Sequence, residues 1–375
     1  MDSATFLDGL AAAHQVHLPA LRRQLEQDGG YALHVDGTCE PGTDVVFAAV
    51  ATPRCWTLAA AKMAGENVEE ISQLLRRCDE DFGRPQAVMR DLSNSIQRAK
   101  AAVMPQVPDL ICHYHFLENV GKKLCEKPHN RLTHAIRRLK VRPLLARLRR
   151  DMVYRNRRGD SPLSSAQVEQ LLSHPERGME LDVLTSRRLV AHVLLRWLDD
   201  YGADLRGEYF PFDLPILALY RRARQLGEWF KAVLDSGSFP REEFSTWVTI
   251  SGHLARFEED AEVVAAAERL EKAAALFQEL REILRLEGSA EHLLRGRNPH
   301  ETREEIEGIS KRLEVWRKRL QEQMSAEKDA DKRSDQRTVL NYLGTVSYTH
   351  LRAHETGRHI SYAVFCLKRG GGGGG

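Results

Sequence analysis

The sequence predicts an α/β protein: a mixed sheet with the element order β-β-β-α-β-α-β, followed by a large all-α region. Three observations carry that expectation. Apolar residues alternate with a period of two from Tyr31, and two further apolar runs before residue 64 also read as strands. Two helical patterns then follow, each succeeded by a short apolar run that reads as another strand. From Leu117 onward the pattern is almost wholly helical. Four segments result: an N-terminal helical remnant (1–30), the sheet-bearing core (31–125), a basic helical segment with an all-α insertion (126–344), and a tail of different character (345–375).

Each element has its own punctuation. The first thirty residues form a helix that ends at Gly29 and Gly30. In "YALHVDGT" Tyr31, Leu33 and Val35 alternate with Ala32, His34 and Asp36, and "DVVFAAVA" and "CWTLAAAKM" are joined by a tight turn through Thr52-Pro53-Arg54. Three successive strands suggest an antiparallel meander. Asn67 caps a helix whose Ile71, Leu74, Leu75, Cys78 and Phe82 make one apolar stripe, with Gly83 as its stop. "PQAVMRD" is the fourth strand. Ser93 and Asn94 offer the next cap, Pro105 and Pro108 end that helix, and "DLICHYH" is the fifth strand. Beyond it lie helices jointed at Pro211, Pro215 and Pro240. A stretch rich in Ala, Leu, Glu and Arg from His253 to Lys328 then reads as a helical hairpin or coiled coil turning near Gly288.

Composition narrows the class. The 375 residues are 42% hydrophobic and 29% charged, an ordinary globular balance, and apolar stretches such as Val45–Ala51 fall far short of the ~20 residues a spanning helix needs. No membrane partner is expected. The N-terminus "MDSATFLDGLAAAHQ" carries acids where a secretory signal carries Lys or Arg, so a cytoplasmic location is expected. Six cysteines without CxxC pairing suggest free thiols in a reducing compartment. The net charge of +2 conceals a strongly basic segment: Gly121–Arg158 holds fourteen Lys and Arg against Glu126 and Asp151. Such an excess is the electrostatic footprint of a phosphate-binding surface. Lys122, Lys123, Arg137, Arg138 and Lys140 are its first candidates for contact with nucleic acid, and Arg142, Arg147, Arg149 and Arg150 follow in "VRPLLARLRR". Trp229 could stack on a distorted base, although a buried anchor is the more common role for such a residue.

Two aspartates stand where strands end: Asp36 in "LHVDGTCE" and Asp91 in "AVMRDLSN". Singly, each reads as turn or cap chemistry. If the first and fourth strands are parallel neighbours, however, both carboxylates reach one edge of the sheet. There they could hold two divalent cations ~4 Å apart, one activating a water or 3′-hydroxyl and the other steadying the leaving oxygen. Magnesium or manganese suits such hard oxygen ligands. Gly37 would let backbone come close to a bulky substrate.

"HVDGT", the hairpin, the helix, "VMRDLSNSIQRA" and "LICHYHFLENVGKKL" together resemble the catalytic domain of DDE-type transposases of bacterial insertion sequences. That resemblance implies a ribonuclease H-like fold over residues 31–125, with the helical remainder as the all-α insertion some of these families carry. It places the first two catalytic acids on Asp36 and Asp91. It also matches Cys112 and His115 to an accessory C-x-x-H element beside the site, which without a second pair of ligands is a weak signal for zinc. The implied activity is metal-dependent cleavage and strand transfer at the ends of a mobile element. DNA, both element ends and target, is the implied partner, and a homodimer is compatible with it.

The family also requires a third acid, normally Glu, on a helix after the insertion. Glu208, Glu228, Glu258 and Glu259 are in the helical region, but none differs in context from an ordinary helix surface. The tail bears on this. "VSYTHLRAHET" and "ISYAVFCL" resemble translations of the two ends of a transposition-based sequencing adapter, in order and in frame, and the final glycines resemble a run of guanines. His350, His354, His359 and Cys366 are therefore set aside from any site. On this expectation the native reading stops near Gly344, the third Glu lies beyond it, and the fragment is inactive. Two other readings compete: a ribonuclease H-like nuclease without strand transfer, and a non-enzymatic helical DNA-binding or scaffold protein.

Overall fold

A computed structural model describes residues 3–38, 44–52, 54–141, 143–144, 146–148, 166, 209–237, 241, 244–284 and 303–353 of the chain. Helix α1 (Ser3–Gln27) lays Leu18, Leu21 and Leu25 on the sheet's core, so the N-terminal helix belongs to that core. The chain then reverses through Gly29 and Gly30, whose φ values of 84° and 102° are ones that side chains other than glycine's rarely tolerate. Strands β1 (Ala32–Thr38), β2 (Val45–Thr52) and β3 (Trp56–Met63) form the expected antiparallel meander.

Helix α2 (Val68–Phe82) returns the chain across the sheet. Asn67 accepts the Glu69 N–H at its start, Gly83 ends it at φ 81°, and the expected stripe of Ile71, Leu74, Leu75, Cys78 and Phe82 is buried. The return sets β4 (Ala87–Arg90) parallel beside β1. Helix α3 (Asn94–Val103), capped by the Ser93 hydroxyl, sets β5 (Asp109–Ile111) parallel beside β4. The result is a five-stranded mixed sheet in the order β3-β2-β1-β4-β5, with helices packed on it: the α/β class that the sequence predicts.

The alternation in β1 is real, but both of its sides are covered. Tyr31, Leu33 and Val35 join one core cluster with α2 and α3, while Ala32 joins a second with Ala87, Met89, Leu110 and Cys112. A central strand is clothed on both faces, so alternation sorts its residues by face and not by exposure to water. Gly37 also has a different role from the one expected. A Cβ there would meet the Phe47 ring at 3.0 Å, so the missing side chain makes room for the core and not for a substrate.

The fifth strand ends sooner than "DLICHYH" suggested. Cys112 donates its N–H to the Arg90 carbonyl at 2.8 Å, closing the sheet, and its own carbonyl accepts from Phe116 N at 2.9 Å, opening helix α4 (His113–Leu139). Apolar, β-favouring residues are common to a strand and a buried helix start, and helical hydrogen bonding decides between them here. No helix among the described residues is long and apolar enough to cross a membrane.

The remaining described helices are α5 (Pro215–Ser236), α6 (Phe244–Glu259), α7 (Ala261–Ile283), α8 (Arg303–Ala326) and α9 (Ala330–Ala353). Two compact units emerge, Met1–Val120 with Glu279–Gly375, and Gly121–Gln278. The stretch taken as one insertion is therefore divided, because its final part packs back on the sheet: α9 lies against β5 and pairs with α8. Within the other unit, Pro215 opens α5, and Trp229 is buried among Phe230 and Trp247 at ring separations of 5.2 and 5.6 Å. It is thus a core anchor, closed to any base. The turn expected near Gly288 and the joint at Pro240 lie outside the described residues. Cys78, Cys112 and Cys125 are free and buried, as expected, whereas Cys55 is disulfide-bonded. Chain spacing carries no information on which cysteines the fold brings together.

Candidate active site

Strand register brings the two aspartates together. On β1 and β4 the paired positions Ala32↔Ala87 and His34↔Met89 face one way, and the next position of that phase is Asp36 on β1 and Asp91 just past β4. Parallel neighbours lie about 4.8 Å apart. Both carboxylates therefore sit on one face at one edge, and they sense each other electrostatically. Burial raises the Asp36 carboxyl above its ordinary range, His115 opposes this, the Asp91 charge adds to it, the Gly37 N–H opposes it again, and Glu118 adds a smaller push.

Asp91 is held by its own turn. Its Oδ1 accepts the Ser93 N–H at 2.8 Å, and the Ser93 hydroxyl that caps α3 also bonds Glu66 at 2.5 Å. The Asp91 carbonyl accepts from Arg90 at 2.9 Å. Behind it Arg90, only 3% exposed, grips Asp109 through two bonds of 2.9 and 2.8 Å.

The first turn of α4 faces the acids. His115 Nε2 lies 4.0 Å from Asp36 Oδ2. Burial disfavours its charged form, but hydrogen bonding and charge at Cys112, with Asp36 and Asp91, outweigh that and raise the imidazole to about 9. His115 is therefore a cation at neutral pH, beside two carboxylates. His34, on the same face of β1, behaves oppositely: burial lowers it to about 4, and its Nε2 has no hydrogen-bond partner.

Asp36, Asp91, Cys112 and His115, all singled out in the sequence, are thus gathered at one place. Glu118, His34, Glu66 and Arg90 were not foreseen. Glu118 follows His115 by three residues and shares its helix face, so a correctly placed start for α4 would have revealed it. No pattern along the chain marks Arg90, because its partner Asp109 lies on another strand.

The donor set fits a hard cation that keeps part of its water or phosphate shell, since two adjacent carboxylates supply anionic oxygen. Among the described residues no three His, Cys, Asp or Glu side chains converge closely enough to enclose a metal, which also leaves Cys112 and His115 without partners for zinc. The searched third acids do not complete the set. Glu228 and Glu258 pair with Arg224, Glu259 is exposed on the same helical unit, and Glu208 lies outside the described residues.

The basic segment is only partly available. Lys123, Arg137, Lys140 and Arg147 are exposed, and Lys122 is half-buried. Arg138 is paired with Asp260 at 2.7 Å and Glu262 at 3.1 Å, at the start of α7, while about half of its side chain stays exposed. Counting charges along the chain cannot detect a partner brought in by folding. Arg142, Arg149 and Arg150 lie outside the described residues. Lys127, Arg131 and His134, exposed one helical turn apart beyond Lys123, extend the basic stripe of α4. No protein family matches the chain in sequence, and no curated protein does.

Proposed function

We propose that the chain carries the catalytic sheet of a DDE-type transposase with a ribonuclease H-like fold, acting on DNA phosphodiesters with two Mg2+ or Mn2+ ions. The observation that carries this is the register that gives Asp36 and Asp91 the same face of adjacent parallel strands. The parallel β1–β4 pairing is the one on which the reading of the two aspartates depends.

Asp36 and Asp91 hold the cations, which when bound supply an activated water or 3′-hydroxyl and steady the leaving oxygen. Ser93 N–H fixes the orientation of the Asp91 carboxylate. His115 offsets the two like charges while the site is metal-free. The exposed cations of α4 contact DNA phosphates in a sequence-independent, salt-sensitive way. With two carboxylates converging among the described residues, cation binding is the property expected of this chain.

Mn2+ titration followed by electron paramagnetic resonance tests the proposal on wild type, Asp36→Asn and Asp91→Asn. Each substitution is expected to weaken binding more than ~100-fold, beyond the roughly 10–100-fold that the loss of a supporting residue costs. In the wild type, a 100-fold excess over Kd adds about 2.7 kcal/mol of stability, most of which a variant weakened more than ~100-fold loses at the same Mn2+ concentration. Unchanged affinity in both would end the catalytic assignment. For a chain carrying all three acids, joined strands on a gel would separate strand transfer from simple nuclease action.

A further inference from the structure

We infer that Arg90 is a positioning residue of the acidic site and acts from the reverse face of the sheet, an inference that rests on Asp36 and Asp91 being the cation ligands. Alternation puts Arg90 and Val88 on the α2–α3 side of β4, while Met89 and Asp91 face the site. From there the guanidinium turns at the strand end and donates to the Asp91 carbonyl at 2.9 Å. Its other two nitrogens are occupied by Asp109 at 2.9 and 2.8 Å.

Such a restraint is needed because Asp91 lies beyond the last paired residue. β4 spans only Ala87–Arg90 and β5 only Asp109–Ile111, so ladder hydrogen bonds stop one residue short of the carboxylate. Two bonds fix it: Arg90 holds the main chain, and Ser93 N–H holds Oδ1, leaving the second carboxylate oxygen for a ligand. Arg90 also offers its own carbonyl to Cys112 N at 2.8 Å, which fixes where α4 and its His115 begin. One buried residue thereby ties Asp91, β5 and the first turn of α4 together. The chemistry requires arginine, because a planar fork can bind a carboxylate in bidentate fashion and still donate at its third nitrogen, which a lysine ammonium on a flexible stem cannot match.

The test uses the full chain with Arg90→Lys, the double variant Arg90→Gln/Asp109→Asn, and Arg54→Lys as a control. The double variant replaces the buried ion pair by an amide pair, so no buried charge is stranded if Arg90→Lys does not fold. Arg54→Lys disturbs the bidentate Arg54–Asp28 pair, which touches neither acid. Two quantities are read: hydrogen exchange at the Ser93 amide in the metal-free chain, and Mn2+ affinity. In whichever Arg90 variant folds, Ser93 exchange is expected to accelerate roughly 10-fold while amides of the β1–β4 ladder stay protected. Mn2+ affinity is expected to fall roughly 10–100-fold. The control should move neither.

A folded Arg90 variant with wild-type Ser93 protection overturns the inference. So does weakened Mn2+ binding that Arg54→Lys reproduces, since that effect would be general destabilisation. A wild type that binds no Mn2+ overturns the cation reading instead, and Ser93 exchange still decides whether Arg90 holds Asp91.

Discussion

The two faces of the sheet are made from alternate residues of the same strands, yet they obey different physics. The face under α2 and α3 is apolar, with Leu33, Val35, Ile71 and Leu75 almost without exposure, and the ion pair there, Arg90–Asp109, joins opposite charges. The other face carries a small apolar cluster and then, at its edge, like charges side by side: Asp36 and Asp91, with Glu118 close enough to be felt. A fold under selection for stability alone gains nothing from that arrangement. That contrast between a like-charged edge on one face and a packed core on the other is what the proposed cation site rests on.

Breaking each face in turn should sharpen the contrast. On the core face, Leu33→Ala is expected to cost about 2–5 kcal/mol by urea unfolding, the penalty for a cavity in a packed interior. A loss below about 1 kcal/mol would mean that the face is not close-packed.

On the site face, His34 should make the metal-free protein acid-sensitive. Its native value of about 4 lies below the ordinary 6.5, so above pH 6.5 it is neutral in both states and costs nothing. As pH falls from 6.5 toward 4 the unfolded chain takes up a proton that the native state refuses, and stability falls by up to roughly 3 kcal/mol. The slope of stability against pH should flatten in His34→Gln, and an unchanged slope would show that another group is responsible. His115 has the opposite sign, because its raised native value stabilises below 6.5 and that contribution is lost as pH rises through about 9.

The smallest effect should also be opposite in direction. Asp36 is held above the usual carboxylate range, so its ionisation at neutral pH works against the native state. Asp36→Asn should therefore stabilise the metal-free chain by about 0.5–2 kcal/mol, read from thermal unfolding at pH 7. Destabilisation would place Asp36 among structural carboxylates.

Much of this was legible in the sequence, for identifiable reasons. Asn67, Ser93, Gly29 and Gly83 act through local backbone chemistry, which a few neighbouring residues encode. Asp36 and Asp91 could be picked out because strand ends are locally marked and the order of elements allows β1 and β4 to meet. What escaped depends on pairs distant in the chain. Arg90 with Asp109, Arg138 with Asp260 and Gly37 with Phe47 each acquire their meaning from a residue that only the fold brings near. The start of α4 escaped for a different reason: "LICHYH" suits a strand and a buried helix turn equally well, and the boundary is set by one hydrogen bond each way at Cys112.

That single-residue joint has a mechanical consequence. No loop separates the last strand from the helix bearing His115, so there is no slack to absorb movement of that helix's first turn. Any tilt imposed there, by a strand of nucleic acid or by a neighbouring molecule, is passed through the Cys112 amide to the rung of sheet beside Asp91, with nothing between them that can yield.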